Sequence, residues 1–277
     1  MEIRFAISPA EAAGMDTQQL RHNFLVQNLM VAGTLQLVYT HYDRMIVGGA
    51  VPAEGKPLVL PNPGELRADY FLERREMGII NVGGSGTVVA DGVSYPLQKL
   101  DGMYLGKGTK AVQFTSDEAG NPAVFYLLSN PAHAVYPNAV CTRQQAAPVE
   151  LGAPETSNKR TVYKYIHLEG LQSCQLVMGL TVLASGSVWN SIPPHTHTRR
   201  MEVYFYFDLP AEQRIFHFMG QPNETRHLAM GNHEAVISPP WSTHFGCGTT
   251  NYGFIWGMCG ENLVYTDMDA APVATLM

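Results

Sequence analysis

Short apolar runs recur at close spacing along almost the whole chain. Leu35–Thr40, 78–82, 87–90, 111–115 and 124–128 lie in the first half. Residues 161–167, 175–183, 203–207, 214–219, Ala235–Ser238 and 252–258 repeat the style in the second. They are rich in Val, Ile, Tyr and Phe and are broken by Gly, Pro, Asn and Asp, the punctuation of strands joined by tight turns. Such spacing predicts an all-β sandwich or barrel and excludes alternating β and α units. One helix is expected near the start, where Asp16 caps, Gln19 follows three residues later, and Leu20 and Phe24 share a face.

Residues 144–160, with two prolines and no periodicity, read as a linker between halves 1–150 and 151–277, the alternative being one long surface loop within a single domain. The halves resemble one another weakly. Aligning Gly106–Lys110 with Pro240–His244 sets Lys110 opposite His244, which suggests a duplicated small barrel with metal ligands in the second copy alone. At 277 residues and net charge −6, with no basic block, the chain is not expected to bind nucleic acid. No apolar run approaches the length of a membrane span, and the first residues lack a signal-peptide core, so no membrane partner is expected. Four cysteines without a CxxC fit reduced thiols in the cytoplasm.

The informative segment is IPPHTHTRRMEVYFYFD. His195 and His197, two apart, point to one face of a strand. Glu202 opens an alternating strand whose Glu202, Tyr204 and Tyr206 share a face. His244, in SPPWSTHFG, offers a fourth ligand. Imidazole and carboxylate suit Zn, Fe, Mn, Co or Ni. His217 and His227 fall on strands near this set. An anionic substrate needs a planar cation, for which Arg160, Arg199, Arg200 and Arg226 are candidates. Arg226 is on a strand beside the site, whereas Arg199 and Arg200 sit in a turn, where arginines commonly face solvent. Tyr204 either donates a proton or packs. The motif ERRE, Glu73–Glu76, reads as an ion-pair network or subunit contact, and Lys110 as a residue filling a vestigial site.

The pattern H-x-H-x4-E with a later His is similar to the metal motif of the cupins, although Trp241 and Gly248 depart from the usual second motif. YTHYDRMIVGG, YFLERREMGIINVGGSGTV, PPHTHTRRMEVYFYFD, MGQPNETRHLAM, SPPWSTH and FIWGMCGEN resemble, more narrowly, the 5-keto-4-deoxyuronate isomerase family over about residues 16–270. The resemblance implies two tandem cupin-like double-stranded β-helix barrels. It implies one Zn2+ per subunit held by His195, His197, Glu202 and His244, and a homo-oligomer, namely a hexamer. It also implies a ketol-isomerase of pectin and uronate degradation, converting 5-dehydro-4-deoxy-D-glucuronate to 3-deoxy-D-glycero-2,5-hexodiulosonate. Arg160, Arg226 and Tyr204 are the expected substrate-binding residues, and no catalytic base is identified. An Fe(II) cupin dioxygenase has the same ligand types, and a non-catalytic sugar-binding cupin is the third alternative.

Overall fold

A computed structural model describes residues 1–277. Strands dominate it; α-helix is confined to Pro9–Ala13 and Thr17–Phe24. The second of these is the expected helix. Asp16 Oδ1 accepts from the Gln19 amide at 2.8 Å, and Gln19 Oε1 accepts from the Asp16 amide at 2.9 Å. This reciprocal pair satisfies two donors that a helix start leaves open. Its buried residues are Leu20 and Phe24. The shorter helix carries the same device in Ser8 and Glu11, a signal present in the sequence but unused.

The chain divides into two compact units. One comprises Met1–Arg4, Asn28–Ala147 and Lys164–Met178; the other comprises Phe5–Gln27, Pro148–Tyr163 and Gly179–Met277. Residues 5–27, 148–150 and 164–178 thus group differently from a single division at 150/151. Leu25 and Val26 pair antiparallel with Val236 and Ala235, so strand pairing draws an early segment into the second unit.

In the first unit a seven-stranded sheet runs Glu2–Arg4, Leu35–Thr40, Ile46–Ala50, Phe125–Pro131, Arg75–Asn81, Gly102–Leu105, Ala139–Cys141. A four-stranded sheet runs Leu58–Val59, Val112–Ser116, Gly86–Ala90, Val93–Leu97. Ile79, Val88, Phe114 and Phe125 are among the buried side chains of its apolar core. The second unit has a seven-stranded sheet ordered Val149–Leu151, Arg160–Ile166, Val177–Leu183, Gly253–Gly260, Arg200–Phe207, Ala235–Ser238, Leu25–Val26. Its four-stranded sheet runs Trp189–Asn190, Phe245–Gly248, Ile215–Gln221, Glu224–Met230. From the second strand through the sixth, the two seven-stranded orders correspond strand for strand, and the two four-stranded orders correspond throughout.

Within this correspondence Gly106–Lys110 and Pro240–His244 connect equivalent strands, as the alignment of the halves requires. Lys110 itself fills nothing. Its side chain is exposed, and its amide donates to Asp91 Oδ1 at 3.0 Å. The expected linker is partly ordered: Val149–Leu151 pairs with residues 160–162 across a turn through Gly152, whose φ is +76°. The unforeseen strand Ile46–Ala50 contains Gly48 and Gly49. A Cβ on Gly49 would stand 2.5 Å from the Leu29 carbonyl oxygen, so these glycines permit close packing and do not mark a turn.

Within Glu73–Glu76, Arg74 Nε lies 3.9 Å from Glu73 Oε2, while Glu76 turns into the interior. Glu76 is fully buried and accepts from Tyr104 Oη at 2.7 Å and Asn130 Nδ2 at 2.8 Å. It also accepts from the amides of Cys174, Gln175 and Leu176 at 2.7, 2.8 and 3.0 Å. No helix is long and apolar enough to cross a membrane.

Candidate metal centre

Three structural pieces of the second unit bring the four ligand-type residues together. His195 lies on the two-residue strand His195–Thr196, paired with Asp269–Ala270. Glu202 lies on Arg200–Phe207, an entirely buried strand hydrogen-bonded to Gly253–Gly260 and Ala235–Ser238. His244 immediately precedes Phe245–Gly248. His197, Glu202 and His244 are buried, and His195 is half-buried. All four donor atoms lie within 4.8 Å of one another. His197 Nε2 is 3.0 Å and His244 Nε2 2.9 Å from Glu202 Oε2, while the His195 and His244 Nε2 atoms are 3.0 Å apart.

The surroundings fix how these rings present themselves. His197 Nδ1 is 2.7 Å from the Asp267 carbonyl oxygen, which only accepts, so Nδ1 carries the proton. Its Nε2 then faces the Glu202 carboxylate oxygen at 3.0 Å, a gap that either a proton or a cation satisfies. His244 Nδ1 lies 3.3 Å from the Ser242 carbonyl and 3.2 Å from Ser238 Oγ, which likewise leaves Nε2 for the cluster. Outer partners of this kind orient metal-binding imidazoles. Three imidazole nitrogens and one carboxylate therefore fit a divalent transition metal, zinc included.

Charge follows burial and neighbours. Burial, then the adjacent His244, pushes the His195 imidazole down to about 3. Burial works against ionisation of Glu202, but His244 and His197 outweigh it and hold the carboxyl below the usual carboxylate range. Burial, reinforced by Glu202, holds the Tyr204 phenol well above its ordinary value, so it stays protonated.

The cluster opens on a cavity of about 320 Å³. Arg160, Ser191, His195, Glu202, Tyr204 and Tyr265 contribute its polar lining; Val162, Phe254, Trp256, Met258 and Met268 contribute apolar wall. Arg160 is half-buried and donates from Nη1 to the Asn158 carbonyl at 2.9 Å. Burial lowers its pKa, against the pull of Tyr265 and Tyr204. Tyr204 Oη lies 2.7 Å from Ser191 Oγ. Thus Arg160 and Tyr204, both expected at a substrate site, do share the cavity with the ligand-type residues.

Arg226 does not. Its guanidinium donates to the Met15 carbonyl at 3.3 Å and to the Ala13 carbonyl, and so satisfies groups at and just past the end of the helix Pro9–Ala13. Arg199 grips Asp267 at 2.7 Å and Asp269 at 2.9 Å. Arg200 is buried and donates to the carbonyls of Val264, Tyr265 and Asp267 at 2.8, 3.3 and 3.0 Å. Neither arginine lines the cavity, and Arg200 opens the strand Arg200–Phe207 and is buried, not a solvent-facing turn residue; both fasten the segment whose Asp267 carbonyl orients His197. His217 is buried behind Tyr204, with ring centroids 5.5 Å apart, and its Nδ1 lies 2.7 Å from Tyr206 Oη. His227 is exposed against Phe216, away from the cluster. Ser191 and Tyr265 escaped notice in the sequence, since neither belongs to a spaced pattern.

A ketol-isomerase of 4-deoxy-L-threo-5-hexosulose uronate from Formosa agariphila is 54% identical over 275 residues, covering 99% of this chain and 98% of the relative. The enzyme of the same name from Halalkalibacterium halodurans is 53% identical over 269 residues, 97% of each chain. Among solved structures, an IolB-like protein from Salmonella typhimurium LT2 superposes with a TM-score of 0.71 at 16% identity, covering 88% of this chain and 95% of that one. An oxalate decarboxylase from Lactobacillus farciminis gives a TM-score of 0.59 at 10% identity, covering 90% and 89%. At such identities these likenesses show a cupin-like β fold alone. Residues 25–273 match the KduI/IolB family, and with relatives above half identity along their full length, the chain belongs to that family.

Proposed function

We propose that the protein is a zinc-dependent ketol-isomerase of 4-deoxy-L-threo-5-hexosulose uronate, also called 5-dehydro-4-deoxy-D-glucuronate, yielding 3-deoxy-D-glycero-2,5-hexodiulosonate in pectin and uronate breakdown. The observation that carries this is the convergence of His195, His197, Glu202 and His244 into one cluster, of which His195 and Glu202 line a cavity that also holds Arg160. When bound, a divalent ion in this set supplies Lewis acidity to adjacent carbonyl and hydroxyl oxygens. Arg160 supplies a planar cation for the uronate carboxylate. Tyr204 and Ser191 offer hydroxyls to the reacting end, and Phe254 and Trp256 keep water from it. Asp267 and Ser242 hold the imidazoles in the tautomer that leaves Nε2 free.

The repeated strand order and the likeness to an oxalate decarboxylase support tandem cupin barrels, of which only the second carries ligands. The four cysteines, none in a disulfide, agree with a cytoplasmic location, and the family resemblance supports a homo-oligomer, a hexamer, in solution.

The test is purified protein incubated with the uronate and followed by NMR in deuterated water, with elemental analysis beside it. We expect about one zinc per chain, turnover that is lost to a chelator, and recovery on adding zinc. Unchanged turnover after metal removal, or no isomerisation by zinc-loaded protein, overturns the proposal. Oxygen uptake coupled to substrate loss would replace it with a dioxygenase.

A further inference from the structure

Two hydroxyls in the cavity form a pair with a geometry of its own. Ser191 Oγ and Tyr204 Oη lie 2.7 Å apart, and both residues line the wall that holds His195 and Glu202. Tyr204 is held rigidly: its ring is 5.0 Å from that of Phe254 and 5.5 Å, nearly edge-on, from that of His244. Ser191 is held at a conformational cost. Its φ is +49°, in the left-handed region that a serine seldom adopts. The residue before it is fastened, since Asn190 pairs with Gly246 on the neighbouring strand and donates from Nδ2 to Tyr252 Oη at 2.7 Å. Backbone strain that the surroundings enforce beside a cavity is a mark of a working site. Here the strained residue is the one that sets its hydroxyl against Tyr204.

A ketol isomerisation shifts a carbonyl between neighbouring carbons. Besides the hydrogen that moves between carbons, one proton must leave the first hydroxyl oxygen and one must reach the former carbonyl oxygen. Two such oxygens held cis are separated by about a hydrogen-bond length, ~2.8 Å. The Ser191–Tyr204 pair has the same spacing.

We propose that Ser191 and Tyr204 form a relay that carries the hydroxyl proton from one substrate oxygen to its neighbour. Ser191 Oγ accepts the proton from the substrate hydroxyl and passes its own to the Tyr204 oxygen; the phenolic proton goes to the carbonyl oxygen. Each side chain ends with the protons it began with, and no charge is separated. Ser191 is thereby a catalytic residue, and Tyr204 acts in the chemistry as well as in binding. This inference rests on the ketol-isomerase proposal above.

The experiment uses the full chain loaded with zinc, as wild type, Ser191→Gly, Ser191→Ala, Tyr204→Phe and the double variant Ser191→Gly/Tyr204→Phe. General acid–base transfer typically contributes 10²–10⁴-fold, so each single variant is expected to lose about 100-fold in kcat, with KM nearly unchanged. The double variant should lose no more than either single one, since one relay is broken once. Zinc content should match wild type. Ser191→Gly should melt no earlier than wild type, because glycine adopts φ +49° without strain. Wild-type kcat should show a solvent deuterium effect from more than one proton, which the variants lose. Undiminished kcat in Ser191→Gly and Ser191→Ala overturns the relay, as does raised KM with kcat retained, or losses that multiply in the double variant. Those results leave wild-type turnover, and hence the isomerase proposal, standing; absence of turnover in the wild type overturns both.

Discussion

Replacing Arg200 by Met removes a cation and keeps most of the stem that packs around it. The guanidinium bonds to Val264 O at 2.8 Å, Asp267 O at 3.0 Å and, more weakly, Tyr265 O at 3.3 Å. Hydrogen bonds from a charged donor contribute roughly 1.5–3 kcal/mol net. Desolvation of the buried cation sets the lower end of that range and the third bond is long, so the loss is about 3 kcal/mol. At roughly 2–4 °C per kcal/mol for a unit of this size, the chelated protein should melt about 6–12 °C earlier. The same change frees the carbonyl that orients His197 Nδ1, and losing an outer partner of a ligand typically weakens metal binding 10–100-fold. The assays are thermal melts in excess chelator and competition of zinc against a chromophoric chelator. A variant that melts with wild type and binds zinc equally well refutes the claim that Arg200 fastens the ligand's partner.

Three further outcomes are expected. His244→Ala should abolish turnover of the uronate while the melting curve of the chelated protein moves little; collapse of the fold would show that the centre is structural. Glu76→Ala strips the acceptor from five donors, each worth at least about 1 kcal/mol when left buried, so urea unfolding should report a loss near 5 kcal/mol, and a loss under ~1 kcal/mol would contradict the role of that carboxylate. Burial, then His244, depresses the His217 imidazole to about 3, against about 6.5 in an unfolded chain. The unfolded state therefore binds more protons between those values, and stability falls on acidification by about 1.4 kcal/mol per pH unit from this group. In chelated protein, His217→Gln should flatten the slope of unfolding free energy between about pH 4 and 6 by that amount; an unchanged slope would show that His217 titrates normally.

The ligand-type residues were legible because strand periodicity is local. The alternation of Glu202, Tyr204 and Tyr206 survives into the structure as a buried row, and His195 lies on a strand as expected, whereas His197 falls just past that two-residue strand and meets the cluster from the turn. The capping pair Asp16 and Gln19 was legible for the same reason. Other features depend on partners far along the chain. Arg226 sits on a strand, as expected, yet which carbonyls its guanidinium meets is decided 211 and 213 residues away. Glu76 looks like part of a charged surface run until the amides of residues 174–176 converge on it. Gly48 and Gly49 carry the letters of a turn while serving a strand. Ser191 was invisible because its distinction is a backbone angle, which no residue type announces.

The pairing of Leu25 and Val26 with Val236 and Ala235 also sets a clock. At roughly 5–20 residues per second of synthesis, about 10–40 seconds separate the making of the early strand from that of its partner. In that interval Leu20, Phe24 and Leu25, all buried in the finished protein, have no place in the second sheet. The eight-residue helix Thr17–Phe24 is too short to persist by itself in water. An apolar stretch thus waits on the nascent chain until residues 235 and 236 have been made. Slower elongation lengthens that exposure without altering the final structure, so the yield of soluble protein should depend on how quickly the ribosome reaches Ala235–Ser238.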